Sequence, residues 1–116
     1  MRYEQIEPEK WPSGIDRAAA VLAMEPEQIA AAFRVTFDHD TDDLDAFRYA
    51  GLRLPSGRQI VLLRYERSPD AGTELLADAG DDVAAAVREF LDAFGLPDEV
   101  VTWTPEDVAL PRDAAA

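Results

Sequence analysis

The sequence predicts an α+β fold: a mostly antiparallel sheet with an N-terminal helical pair and one amphipathic helix packed on one face. Three observations carry that expectation. Two strand candidates, 45–54 and 58–66, are joined by Pro55-Ser56-Gly57, a hairpin turn in which proline fixes its own backbone and glycine accepts a left-handed one. Val83, Val87, Phe90, Leu91 and Phe94 recur at helical spacing, so 81–94 reads as a helix with one apolar stripe. Strands and helices do not alternate along the chain, which favours a two-layer arrangement over a doubly wound parallel sheet.

In chain order, residues 1–12 read as a polar arm, with Tyr3, Ile6 and Trp11 available to dock on the body, and are expected to be flexible, as is the tail 111–116. Ser13 and Asp16 have the spacing of a capping box, and Ile15, Ala18, Ala19 and Leu22 share one face, which predicts a first helix to about Met24. Glu25-Pro26 interrupts it. Pro26 suits the first turn of a second helix, 26–32, with Met24 and Ile29 as a hydrophobic staple around its start. Strands are then predicted at about 34–38, 45–54, 58–66, 73–77 and 99–103. The apolar run Ile60-Val61-Leu62-Leu63 marks 58–66 as central in its sheet. Asp81 or Gly80 is expected to cap the long helix and Gly95 to end it. A final turn is expected through Leu110, and the whole chain, 1–116, reads as one domain.

The charge is unusual for the size. In 116 residues, 24 Asp and Glu stand against 11 Lys and Arg, a formal net charge of -13, with a sequence pI of about 4.2. A field of that sign repels phosphate backbones and anionic membrane surfaces, so direct nucleic-acid and membrane binding are both disfavoured. Hydrophobic residues still make up 47% of the chain, enough for one core. Without cysteine there is no disulfide framework, thiolate metal site or cysteine nucleophile. The first residues lack the basic head and apolar stretch of a signal peptide, and cytoplasm is the expected compartment. Lys10 is the sole lysine against ten arginines, which fits a GC-rich genome or a halophilic host.

Few residues suggest chemistry. His39 is the only imidazole, flanked by Asp38 and Asp40, which would favour its protonated form if they approached it. Asp38, Asp40 and Asp42 have the alternate spacing of a calcium loop's first half. Asp43 replaces the glycine such a loop needs for its turn, and Tyr49 replaces the closing glutamate. Glu66, Glu74 and Asp78 could serve as a glycosidase-like acid and base only if one were buried. Trp103 is expected in the core, and Trp11 either anchors the arm or belongs to a contact surface.

These observations favour a non-enzymatic binding protein whose acidic surface captures a basic protein partner, in the manner of immunity proteins, antitoxins, secretion chaperones or nucleic-acid mimics. Its contact residues are expected to be Asp38, Asp40, Asp42, Asp43, Asp45 and Trp11, with no catalytic residues, no metal and no cofactor. One alternative is a small enzyme or divalent-cation domain centred on His39 and its neighbouring aspartates. The other is a protein that self-associates through a strand edge at 34–38 or 99–103, its acidity reflecting the host.

Overall fold

Every strand of the sheet runs antiparallel to its neighbours, so the chain builds its core by doubling back rather than by crossing over. The computed structural model describes residues 3–6, 14–43, 45–69 and 71–105. Within them, seven strands and two α-helices follow in the order β1 (Glu4–Gln5), β2 (Ile15–Leu22), α1 (Pro26–Phe33), β3 (Asp38–Thr41), β4 (Ala46–Arg53), β5 (Gln59–Tyr65), β6 (Thr73–Asp78), α2 (Val83–Phe94) and β7 (Val101–Trp103). The spatial order is β1-β4-β5-β6-β2-β7, with β3 sharing the outer edge of β4 beside β1. The mostly antiparallel α+β architecture is therefore as expected, and the N-terminal helical pair is not.

The segment read as a first helix is β2, which lies between β6 and β7. Alanine-rich spacing does suit a helix, but the preference is worth less than about 1 kcal/mol per residue. Burying Ile15 and Leu22 at 0–4% exposure in the sheet contributes roughly 1.5–3 kcal/mol each. Gly14 also has φ +81, which cannot open a right-handed helix. Ala19 and Ala20 are fully buried, and their small side chains let α2 lie close over the sheet.

The second predicted helix is α1. Pro26 occupies its first turn, the Gln28 side chain accepts a hydrogen bond from the Glu25 amide at 2.8 Å, and Ile29 is buried. Arg34 ends it in a left-handed conformation, φ 57, so no strand starts at residue 34. The predicted strand 34–38 is thus displaced to Asp38–Thr41, and the first half of the segment read as an acidic loop is an edge strand. The helix α2 is capped by Asp82, one residue after the expected Asp81: its carboxylate accepts from the Ala85 amide at 3.1 Å. Gly95, φ 64, ends it as predicted.

Both helices cover one face of the sheet, where Leu22, Ile29, Leu52, Ile60, Leu62, Leu75, Phe90 and Leu91 form the main core. Tyr3 joins it from the N-terminal segment, stacking on Phe94 with ring centroids 4.2 Å apart and donating its hydroxyl hydrogen bond to the Phe33 carbonyl. The second face carries its own cluster of Ile15, Tyr49, Val61, Leu63 and Leu76, with Ala18, Phe47 and Tyr65 packed at its margin. Trp11 and the turn expected at 106–110 lie outside the described residues.

Candidate functional site

The aspartates between Asp38 and Asp45 are divided by the β3–β4 hairpin into two groups with different duties. Asp42 and Asp45 build the turn. The Asp42 carboxylate accepts from the Asp45 amide at 2.9 Å and from the Tyr65 hydroxyl at 2.7 Å. The Asp45 carboxylate accepts from the Ala46 amide at 2.8 Å and the Arg67 amide at 2.6 Å. The bond to Asp42, with burial second, pushes the Tyr65 hydroxyl up to about 12.

Asp38, Asp40 and Asp43 have no such duty to the fold. Asp38 and Asp40 accept only from the amide of the residue that follows each, at 3.0 and 2.8 Å. Asp40 and Asp43 are exposed and Asp38 half-buried, and among the described residues none of the three forms an ion pair. Six described arginines are committed to other acids: Arg48 to Glu27, Arg53 to Glu4, Arg58 to Asp81 and Glu89, Arg64 to Glu25, Arg67 to Asp45, and Arg88 to Asp92 and Asp98.

Strand alternation separates His39 from its flanking acids. His39 stands opposite Arg48, whereas Asp38 and Asp40 stand opposite Tyr49 and Phe47 on the other face. The two carboxylates therefore cannot orient the imidazole, which is exposed. Among the described residues no group of three metal-ligating side chains converges. Nor do the acids of β6 form a hydrolytic pair. Glu74 and Asp78 share a face four residues apart, roughly 13 Å along a strand, beyond the roughly 5–9.5 Å that separates paired glycosidase carboxylates. Glu66 lies just past the end of β5 and is exposed.

The second face holds a feature that the sequence hides. Across six strands, Asp38 opposes Tyr49, Tyr49 opposes Leu63, Leu63 opposes Glu74, Glu74 opposes Val21 and, at a shift of register between β2 and β7, Val21 opposes Trp103. Directly opposed residues share a face, so this row crosses the sheet at about 4.8 Å per strand. Its middle is closed, since Tyr49 and Leu63 are buried, but both ends are accessible. At the Trp103 end a groove of about 580 Å³ is lined by Ala18, Val21, Ala71, Glu74, Thr102 and Trp103. Trp103 is 48% exposed, which corrects its expected place in the core. Its strand is three residues long and, among the described residues, last in the sheet, so no further described strand covers the ring.

Glu74 is half-buried, and burial raises its carboxyl above the usual range although the Arg64 charge opposes the rise. Among the described residues it has neither hydrogen-bond nor ion-pair partner. A carboxylate set between Thr73 and Leu75 in an otherwise apolar strand was the signal available in the sequence; the neighbouring tryptophan was not, because burial habit places Trp inside. A larger depression of about 810 Å³ lies between the C-terminal ends of the two helices, but its rings Tyr3, Phe33 and Phe94 already pack on one another.

Comparison with known proteins returns no match, whether to a family model, to a curated protein or to a solved structure.

Proposed function

We propose that this chain is a non-enzymatic binding protein that captures a basic protein partner through the acidic side of its β3 edge. The observation that supports this is the division of the aspartates: Asp38, Asp40 and Asp43 are displayed without an ion-pair partner among the described residues, while six described arginines are consumed by acids elsewhere. Asp38 and Asp40 also share their face with the margin rings Phe47 and Tyr65, whose centroids are 5.4 Å apart. Carboxylates beside aromatic faces suit arginine and lysine, through ion pairing and cation–π attraction together. The surrounding field of a chain at -13 accelerates the encounter with a cationic surface and selects against anionic ones.

Asp42 and Asp45 are left out of this contact set, because their carboxylates hold the hairpin. The test compares two triple variants of equal charge against a partner recovered by affinity capture and then purified. Asp38→Asn/Asp40→Asn/Asp43→Asn is expected to weaken binding by about tenfold or more and to flatten its salt dependence. Asp16→Asn/Asp92→Asn/Glu99→Gln, which removes the same charge from other surfaces, is expected to change it by less than about threefold. Equal losses in the two variants would show that net charge alone, not the β3 edge, governs capture.

A further inference from the structure

We infer that the groove between Glu74 and Trp103 is a socket for one arginine side chain carried by an extended segment of the partner. The inference rests on the basic-partner reading for the identity of that segment, but on separate residues for the socket itself.

Three observations converge. Glu74, Val21 and Trp103 occupy adjacent positions of one cross-strand row, so the Glu74 and Trp103 backbones stand two strand spacings apart, roughly 10 Å, and both side chains line one groove over an apolar floor. Ala18 and Ala71 keep that floor and its wall low, and Thr102 is held in place by donating to the Val21 carbonyl at 3.2 Å. The carboxylate is half-buried with no partner among the described residues, while the large ring beside it is half-exposed. Each is a cost the fold does not recover by itself.

A guanidinium answers both. It donates two parallel hydrogen bonds to the carboxylate in a planar, bidentate geometry and stacks its face on an indole, which the compact ammonium of lysine does less well. Its aliphatic stem covers Val21 and Ala18. The socket opens beside β7, the last strand of the sheet among the described residues, and an extended segment laid across the second face there can present alternate side chains to it. A neutral or acidic side chain offers no such match.

The probe is the acetylated, amidated tripeptide Gly-Arg-Gly, followed by NMR through the Trp103 indole and Val21 methyl signals. Its citrulline counterpart keeps the shape and removes the charge, and free arginine amide separates a peptide-borne side chain from a small-molecule ligand. Saturable shifts with the arginine peptide are expected at millimolar concentration, with at least tenfold weaker response to the citrulline peptide and weaker response to free arginine amide. Glu74→Gln and Trp103→Leu are each expected to reduce affinity at least fivefold while the protein keeps a cooperative melt.

Several results would overturn the socket: no saturable shift, an equal response to citrulline, tighter binding of the free amide, or binding unchanged by Glu74→Gln. Two more would assign the groove to another occupant. Those are a Trp103-dependent dimer in sedimentation, or binding that emerges only in Arg112→Gln, which would mean that the chain's own arginine fills it. The Asp38→Asn/Asp40→Asn/Asp43→Asn variant keeps the two ideas apart, since it should bind the tripeptide normally whether or not the β3 edge captures a partner.

Discussion

Glu74 shows how one residue can cost stability and still have a use. Burial raises its folded carboxyl above its unfolded value, so between those two values the native state binds the proton more tightly than the unfolded chain does. Stability from this group is therefore present below the unfolded value and falls as pH rises through the folded one. Glu74→Gln is expected to raise the melting temperature at pH 7, and the gain should vanish below about pH 4, where Glu74 is protonated in both states. Thermal melts of the two proteins across that range check it; a variant less stable at pH 7 would mean that Glu74 has a favourable partner after all. Glu74→Gln therefore separates stability from binding: stability is expected to gain from it while the groove loses its arginine. The same half-burial explains why the position could be noticed in the sequence but not interpreted. A lone acid between Thr73 and Leu75 is visible, whereas the tryptophan that completes the groove comes from a strand 29 positions further on.

The elements hold together through a few polar contacts at their ends, and two of these give sharp expectations. Gly72, φ 104, leads into β6 where its amide donates to the Glu25 carboxylate at 3.0 Å, and its carbonyl accepts from Arg64 at 3.0 Å. A methyl group there would lie 2.0 Å from the Leu22 carbonyl oxygen, so Gly72→Ala is expected to cost on the order of 3 kcal/mol in urea unfolding, from steric overlap and the positive φ together. At the opposite end Arg58 joins the β4–β5 turn to α2, at 2.6 Å from Asp81 and 2.8 Å from Glu89. Its bond holds the Asp81 carboxyl below the usual range. For Glu89, burial pulls upward, but hydrogen bonds from Ser56 and Arg58 outweigh it and the net shift is down. Carboxyls depressed in the fold contribute stability above their unfolded values and lose it as pH falls through the folded ones. Arg58→Ala is thus expected to cost about 1–3 kcal/mol at pH 7 and progressively less below pH 4. Legibility at this scale followed how local the signal was. The β4–β5 hairpin and α2 were readable because turn chemistry and an unbroken apolar stripe lie within each segment. The strand β2 was not, since Ala18 to Ala20 are strand by virtue of their pairing with β6 and the cover of α2, which a helical spacing rule does not see. The edge strand β3 was hidden for the reverse reason: aspartates disfavour strands, yet at an edge they face water.

At the scale of the molecule the question is whether a charge of -13 is tolerated or required. The described carboxylates are not gathered on one side. Asp38, Asp40, Asp43 and Glu66 lie at one end of the sheet, while Asp16, Asp78 and Asp81 lie at the other, near the β4–β5 turn. Such a distribution makes long-range repulsion a property of the whole fold, and the acids of β3 set against a second copy of themselves would oppose edge-to-edge pairing there. Salt acts on two opposing quantities. It weakens the exposed ion pairs, each worth roughly 0–1 kcal/mol, and it screens repulsion among 24 acids that outnumber the bases by 13. Six described arginines hold ion pairs, and the one that joins Arg58 to both Asp81 and Glu89 is partly shielded from screening by side chains only 19–30% exposed. Repulsion is the larger and the more screenable of the two, so the melting temperature is expected to rise from 10 mM to 500 mM NaCl. The interior has the apolar content to fold without that help, since fully buried Leu22, Leu52, Ile60, Leu62, Leu75, Phe90 and Leu91 are insensitive to screening. A cooperative melt in 10 mM salt, with a higher midpoint in 500 mM, is accordingly the expected pair of results in calorimetry. A chain that stays unfolded until molar salt is added would instead make the acidity an adaptation to a saline host, and would leave only Asp38, Asp40 and Asp43 to be explained by a partner.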